Sequence, residues 1–161
     1  MTTDIMTAVL KMHPFVDELE PEHLAKLSEL AREVHFERGQ MIFREGEDCR
    51  YFYLIMSGKI VLEISGPGHP FLIQTLGAGE ELGWSSMLKH GGRRFQAKAV
   101  ERSEAIAFDA ADLRRLCHQD PALGLDVMER LLGIVSERLD ATRLQLIDIY
   151  SPRAGSGAFQ R

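Results

Sequence analysis

The chain has 161 residues, 45% of them apolar and 27% charged, with a net charge of −5. That length suits one domain with a sizeable core, and the net negative charge does not advertise the dense basic face that nonspecific nucleic-acid binding requires. Two cysteines, Cys49 and Cys117, stand at no metal-ligand spacing and favour a reducing compartment over a disulfide framework.

The N-terminal stretch MTTDIMTAVLKMHPF places Asp4 early and has no uninterrupted apolar region, so it makes a poor secretory signal. No run approaches the roughly 20 apolar residues of a membrane span. The expectation is a cytoplasmic protein without a membrane segment. Residues 1–32 read as a helical lead-in. One helix ends against Pro14, and a second carries Pro21 in its first turn. Leu24, Leu27, Leu30 and Ala31 recur at helical spacing and define one core-facing stripe.

Residues 33–109 change period. Short apolar or alternating runs are punctuated by Gly39, Gly46, Gly58, Gly66, Gly68, Gly77 and Gly79, the regular spacing of an all-β sandwich or barrel. IMSGKIVLEI reads as a hairpin turning at Ser57-Gly58. Residues 110–150 are helical again. Asp109 is a good N-cap for a helix that stops before Pro121, and a helix of about eight turns follows. In it Met128, Leu132, Val135, Leu139, Thr142, Leu146 and Ile149 alternate four and three apart, a coiled-coil seam with Thr142 its polar member. This predicts a homodimer through the 121–150 helix; the competing arrangement lays that helix on its own domain. Residues 151–161, rich in Pro, Gly and Ser, read as a flexible tail.

Residues 77–99, GAGEELGWSSMLKHGGRRFQAKA, carry the chemistry. Glycine lets backbone N–H groups approach a phosphate closely, and arginine supplies a planar fork of donors. The bland alternative makes Arg93 and Arg94 a solvated turn after a Gly-Gly pair.

Taken in order, the fragments resemble the cyclic nucleotide-binding domain family. PFVDELEPEHLAKLSELAREVHFERGQMIFREGED is similar to the family's opening, with Phe36, Gly39, Ile42, Phe43 and Gly46 in place. YFYLIMSGKIVLE resembles its next hairpin through Tyr53, Ile55, Gly58 and Val61. LGAGEELGWSSML falls where the family has its phosphate-binding cassette, and RRFQAKAVERSEAIAFDAADLRRL covers the following strands and helix. The resemblance runs from about Pro14 to Tyr150. It implies a mainly β fold with flanking helices, a β-roll (double-stranded jelly roll) with N-terminal helices and a long C-terminal helix. It also implies a stand-alone regulatory sensor in signal transduction, binding cyclic AMP, cyclic GMP or a related anionic ligand, with no cofactor or metal. In the catabolite-activator type a helix-turn-helix follows the dimer helix. The eleven residues after Tyr150 leave no room for one, so no direct DNA binding is expected.

The family's cassette is a tight Gly, a Glu that accepts from the ribose 2′-hydroxyl, a short helix whose N-terminal N–H groups meet the phosphate, and a downstream Arg clamp followed by Ser or Thr. Gly83 matches the tight Gly. Trp84 stands in the Glu position and offers one N–H and no acceptor. Glu80 and Glu81 replace that Glu only in a shifted register that forfeits Gly83. Ser85 and Ser86 suit close approach of an anion. Arg93 falls at the clamp and Arg94 beside it, and the preceding glycines let either point inward. The resemblance assigns the base to Thr142 and Arg143.

Two readings stay open: a nucleotide sensor, or a ligand-free interaction module whose pocket is plugged by Trp84 and which assembles with a protein partner. An enzyme is not expected. His13, His23, His35, His69, His90 and His118 show no partner at a catalytic spacing, and Ser85-Ser86 lacks the nucleophile elbow. Two cysteines fall short of a four-Cys iron–sulfur site.

Overall fold

The computed structural model describes residues 2–48, 50–88 and 94–151. Cys49, Arg93 and the predicted tail from 152 onward lie outside the described residues. Contacts divide the chain into two compact units, Met1–Val127 and Met128–Arg161.

The first unit opens with α1 (Thr3–Leu10), a 3₁₀ turn (Pro14–Val16) and α2 (Pro21–Leu30). Proline starts both later elements, where its missing N–H would have had no intrahelical partner. α2 buries Leu24, Leu27 and Ser28. The Ser28 hydroxyl meets that of Thr7 at 2.9 Å and donates to the Leu24 carbonyl at 2.8 Å, which joins the two helices.

Eight strands follow: β1 (Arg32–Phe36), β2 (Met41–Phe43), β3 (Tyr51–Ser57), β4 (Lys59–Ile64), β5 (Phe71–Gly77), β6 (Glu81–Leu82), β7 (Gln96–Ala99) and β8 (Ser103–Asp109). They form two four-stranded antiparallel sheets, ordered β1-β8-β3-β6 and β2-β7-β4-β5. This is the jelly-roll architecture expected. Alternate residues point into the roll, as strand geometry dictates. Phe36, Tyr53, Ile55, Leu82, Ala105 and Ala107 from one sheet meet Phe43, Ile60, Leu62, Leu76, Ala97 and Ala99 from the other.

β3 and β4 do not form the predicted hairpin. β3 pairs with β6 and β8, whereas β4 pairs with β5 and β7. The chain leaves one sheet and enters the other at Gly58, whose φ of 98° lies in the left-handed half of the map. Period-two alternation shows that both runs are strands. Which strand pairs with which depends on residues far along the chain, so Ser57-Gly58 is a crossing between sheets and not a hairpin turn.

The outer face of the first sheet is covered by helices. Phe15 from the 3₁₀ turn meets Phe52 of β3 edge-on at 5.3 Å, a geometry that adds about 1 kcal/mol to the burial of two rings. α3 (Ala110–Gln119) follows β8 directly, and Asp109 caps it by accepting the N–H groups of Ala111 and Asp112. α4 (Pro121–Tyr150) begins two residues later. Asp120 organises that joint. One carboxylate oxygen accepts the Leu123 N–H at 3.2 Å and the other meets Lys26 of α2 at 2.6 Å. Hydrogen bonding to Lys26 holds the Asp120 carboxyl below its usual range. Gly124 is required here, because a Cβ would sit 2.4 Å from the Cys117 carbonyl oxygen.

The second unit is the remainder of α4. Leu132, Leu139, Leu146 and Ile149 of the predicted seam are exposed along it. No helix of the described chain is long and apolar enough to cross a membrane.

Candidate functional site

The loop between β5 and β7 is built on a tight turn. Gly79 adopts φ 84°; its N–H donates to the Ile55 carbonyl, and the Glu80 carbonyl accepts the Ile55 N–H, both at 2.9 Å. The Glu80 carboxylate folds back on the Gly77 N–H at 2.9 Å. That engagement closes the turn. Glu81 and Leu82 then pair with Leu54 and Tyr53 as β6.

Gly83 follows at φ 83°, left-handed, and caps a four-residue 3₁₀ helix, Trp84–Met87. Few residues other than glycine hold that conformation cheaply. Met87 and Ser86 are buried, while Trp84 and Ser85 are half-buried. Ser86 is committed inside the helix. Its hydroxyl donates to the Gly83 carbonyl at 2.6 Å and its N–H donates to the same oxygen at 2.9 Å.

The structure brings Gly83, Trp84, Ser85 and Ser86 together in one turn. Arg93 lies outside the described residues, and Arg94 is exposed just before β7. Phe95 packs on the roll's core against Phe43, ring centres 5.9 Å apart. In the second unit Thr142 donates its hydroxyl to the Arg138 carbonyl at 2.9 Å, and Arg143 lies 3.4 Å from Asp140. Both residues are exposed.

Two residues that hold the cassette in place were not selected from the sequence. Arg114 of α3 reaches the Ser86 carbonyl with its guanidinium, so the 3₁₀ helix is tied to the helix that follows the roll. His13, next to the N-terminal 3₁₀ turn, donates from Nε2 to the Glu80 carbonyl at 3.1 Å. Each contact is made to a backbone oxygen, which leaves no residue-type signature at the receiving end. A separate cleft of about 440 Å³ lies outside β1 and β8, lined by Val9, Met12, His35, Met56, Arg102 and Glu104 among others. Its one arginine is paired with Glu37 at 2.8 Å and Glu104 at 3.9 Å. That neutralised charge makes a poor anion cradle.

With the geometry in view, comparison with known proteins is decisive. Residues 33–120 match the family described as "Cyclic nucleotide-binding domain". The chain belongs to this family. The domain is 31% identical over 139 residues to the cyclic AMP receptor protein of Thermus thermophilus, covering 85% of this chain and 62% of that protein. It is 28% identical over 145 residues to the CRP-like cAMP-activated global transcriptional regulator of Mycobacterium tuberculosis, covering 89% of this chain and 63% of that one. The chain thus spans less than two thirds of the length of either curated relative. Among solved structures, a cyclic nucleotide-binding domain from Methylobacillus flagellatus superposes with a TM-score of 0.76 at 20% identity, covering 90% of this chain and 82% of that one. At that identity the match speaks for the fold. The matched span contains the whole described part of the cassette.

Proposed function

We propose that this chain is a regulatory module that binds cyclic AMP or cyclic GMP in the 77–99 loop and works as a homodimer through α4. The observation that carries the reading is left-handed Gly83 at the head of a short helix, inside the span matched to the cyclic nucleotide-binding family. Two relatives whose names specify cyclic AMP support the same ligand class. In this reading Gly83 turns the backbone so that the N–H of Trp84 heads toward the phosphate, Ser85 lies beside it, and Arg93 or Arg94 clamps the charge. Thr142 and Arg143 are proposed for the base on the resemblance alone. The low cysteine count supports a cytoplasmic setting.

Calorimetric titration with each nucleotide tests the reading, after denaturing a sample and searching the supernatant by mass spectrometry for a co-purified ligand. Micromolar binding is expected, and alanine at the clamping arginine should weaken it about 100-fold, since truncating one partner of a charge pair costs about 2–5 kcal/mol. Absence of heat, with nothing released on denaturation, would leave the interaction module plugged by Trp84 as the better account.

Trp84 adds a second expectation. An indole cannot accept from the ribose 2′-hydroxyl, so 2′-deoxy cyclic AMP should bind within about threefold of cyclic AMP, the size of a net difference under about 1 kcal/mol. A loss of about 30-fold or more would show that another acceptor reads that hydroxyl.

A further inference from the structure

His13 sits where the N-terminal helices meet the turn that leads into the cassette. Its side chain is 1% exposed, and both ring nitrogens are committed. Nδ1 accepts the Phe15 N–H at 3.1 Å, so it carries no proton, and the neutral ring's hydrogen resides on Nε2. Nε2–H donates to the Glu80 carbonyl at 3.1 Å. One imidazole therefore caps the 3₁₀ turn on one side and holds the Gly77–Glu80 turn on the other. Pro14 continues the same contact, its Cγ 3.6 Å from where a Cβ on Gly79 would lie. Gly83 follows Glu80 by three residues.

The surroundings favour the neutral ring. Asp17, just after the 3₁₀ turn, is the ionisable group whose charge reaches it. From β3 the ring faces the Ile55 carbonyl, and from the loop the Glu80 carbonyl, while the Glu80 carboxylate is engaged with Gly77. Burial outweighs these attractions and holds the imidazole below its ordinary value of 6.5. A proton added at Nδ1 would set two N–H donors against each other in a site with little water. Turning the ring to relieve that opposition would break the bond from Nε2 to Glu80.

We propose that His13 is a positioning residue for the cassette, which as neutral imidazole holds the turn before Gly83 in its binding geometry and on protonation releases it. The consequence for affinity rests on the cyclic nucleotide reading; the hold on the loop does not. The sign follows from linkage. Because the folded state binds this proton more weakly than the unfolded chain, the contribution is full above 6.5 and is lost as the pH falls through the lowered value.

Trp84 is the chain's single tryptophan and stands one residue past Gly83, so its fluorescence reports on the cassette. The full chain is titrated from pH 8 to pH 5, first alone and then with cyclic AMP. The expected result is an emission change with a midpoint below 6.5, unchanged far-ultraviolet circular dichroism, and an apparent Kd that rises about tenfold per pH unit below the midpoint. His13→Gln keeps a donor toward Glu80 and does not titrate, so both signals should become flat. His13→Asn keeps the acceptor for Phe15 but falls short of Glu80, and should show the low-pH emission throughout. A transition that persists in His13→Gln, or none in the wild type, overturns the proposal. A His13-dependent transition without cyclic AMP binding at any pH supports the hold on the loop and sinks the cyclic-AMP reading instead.

Discussion

Gly58→Ala is expected to cost about 3 kcal/mol of stability, lowering the thermal midpoint by roughly 10 °C for a unit of this size. Two independent costs add. At φ 98° a side chain strains the backbone, by about 1–2 kcal/mol. The new Cβ would also lie 2.2 Å from Ser103 Oγ and 2.5 Å from Ser103 Cα. Ser103 is fully buried, and its hydroxyl accepts the Lys59 N–H at 3.1 Å and donates to the Glu101 carbonyl at 3.0 Å. Retreat would break that pair of bonds, and overpacking a site that cannot move costs about 1–3 kcal/mol. Adding Ser103→Ala removes the clash with the hydroxyl but leaves the one with the backbone carbon, so the double variant should stay destabilised. Urea unfolding followed by circular dichroism measures both. A loss below about 1 kcal/mol for Gly58→Ala would mean that the crossing relaxes, and that close approach at Gly58 is not what joins the sheets.

The same crossing marks the limit of what could be read from the chain alone. Several helix boundaries were legible because their signals are local: Pro21 and Pro121 start helices, and Asp109 caps one with its own side chain, whereas Pro14, read as ending the first helix, starts a 3₁₀ turn beyond its end at Leu10. Strands were legible from alternation, and Gly83 through the resemblance of LGAGEELGWSSML to the family's cassette. Sheet partners were not. Tyr53 faces Leu82 on one side and Ala107 on the other, and nothing within a few residues of Tyr53 encodes either distance along the chain. Ser57-Gly58 therefore looked like any two-residue turn.

For the site, the division falls between residues that present chemistry and residues that hold backbone. Gly83, Ser85 and Ser86 were picked out through the resemblance to the family's cassette, by their place in it. In the structure the Ser86 hydroxyl is turned to the Gly83 carbonyl. His13 and Arg114 grip carbonyl oxygens of Glu80 and Ser86, at opposite ends of the cassette. An isolated histidine and an arginine on an amphipathic helix give no hint of such partners, since any residue carries a carbonyl. These two contacts tie the cassette to the N-terminal helices and to α3, the two helical elements that flank the roll. A change in the loop would therefore be felt on both sides, which is the physical requirement for a module that reports occupancy: its ligand must favour one arrangement over another.

The other large effect concerns α4. Leu132 is 69% exposed and Leu139 48% exposed, on a helix whose Met128, Leu132, Val135, Leu139, Thr142, Leu146 and Ile149 lie on one face. Replacing Leu132 and Leu139 with Lys should convert a dimer into a monomer. A fully buried Leu contributes about 1.5–3 kcal/mol, and in a symmetric dimer each substitution is made twice. Four lost side chains exceed the roughly 5.5 kcal/mol that separates a Kd from one about 10⁴-fold weaker. Leu144 supplies the control. It is 63% exposed but two residues before Leu146, which turns it through about 200° to the opposite side of the helix. Leu144→Lys removes as much exposed apolar surface without touching the seam and should leave the dimer whole. Sedimentation equilibrium at micromolar concentration measures all three. A wild type that sediments as one chain, or a Leu144→Lys variant that dissociates as readily as the Leu132/Leu139 pair, would remove the seam as the basis of assembly. In the expected case Thr142 becomes the test of why the seam is interrupted. Thr142→Val should tighten the dimer, because the Thr hydroxyl, now satisfied by the Arg138 carbonyl, contributes nothing across an apolar seam.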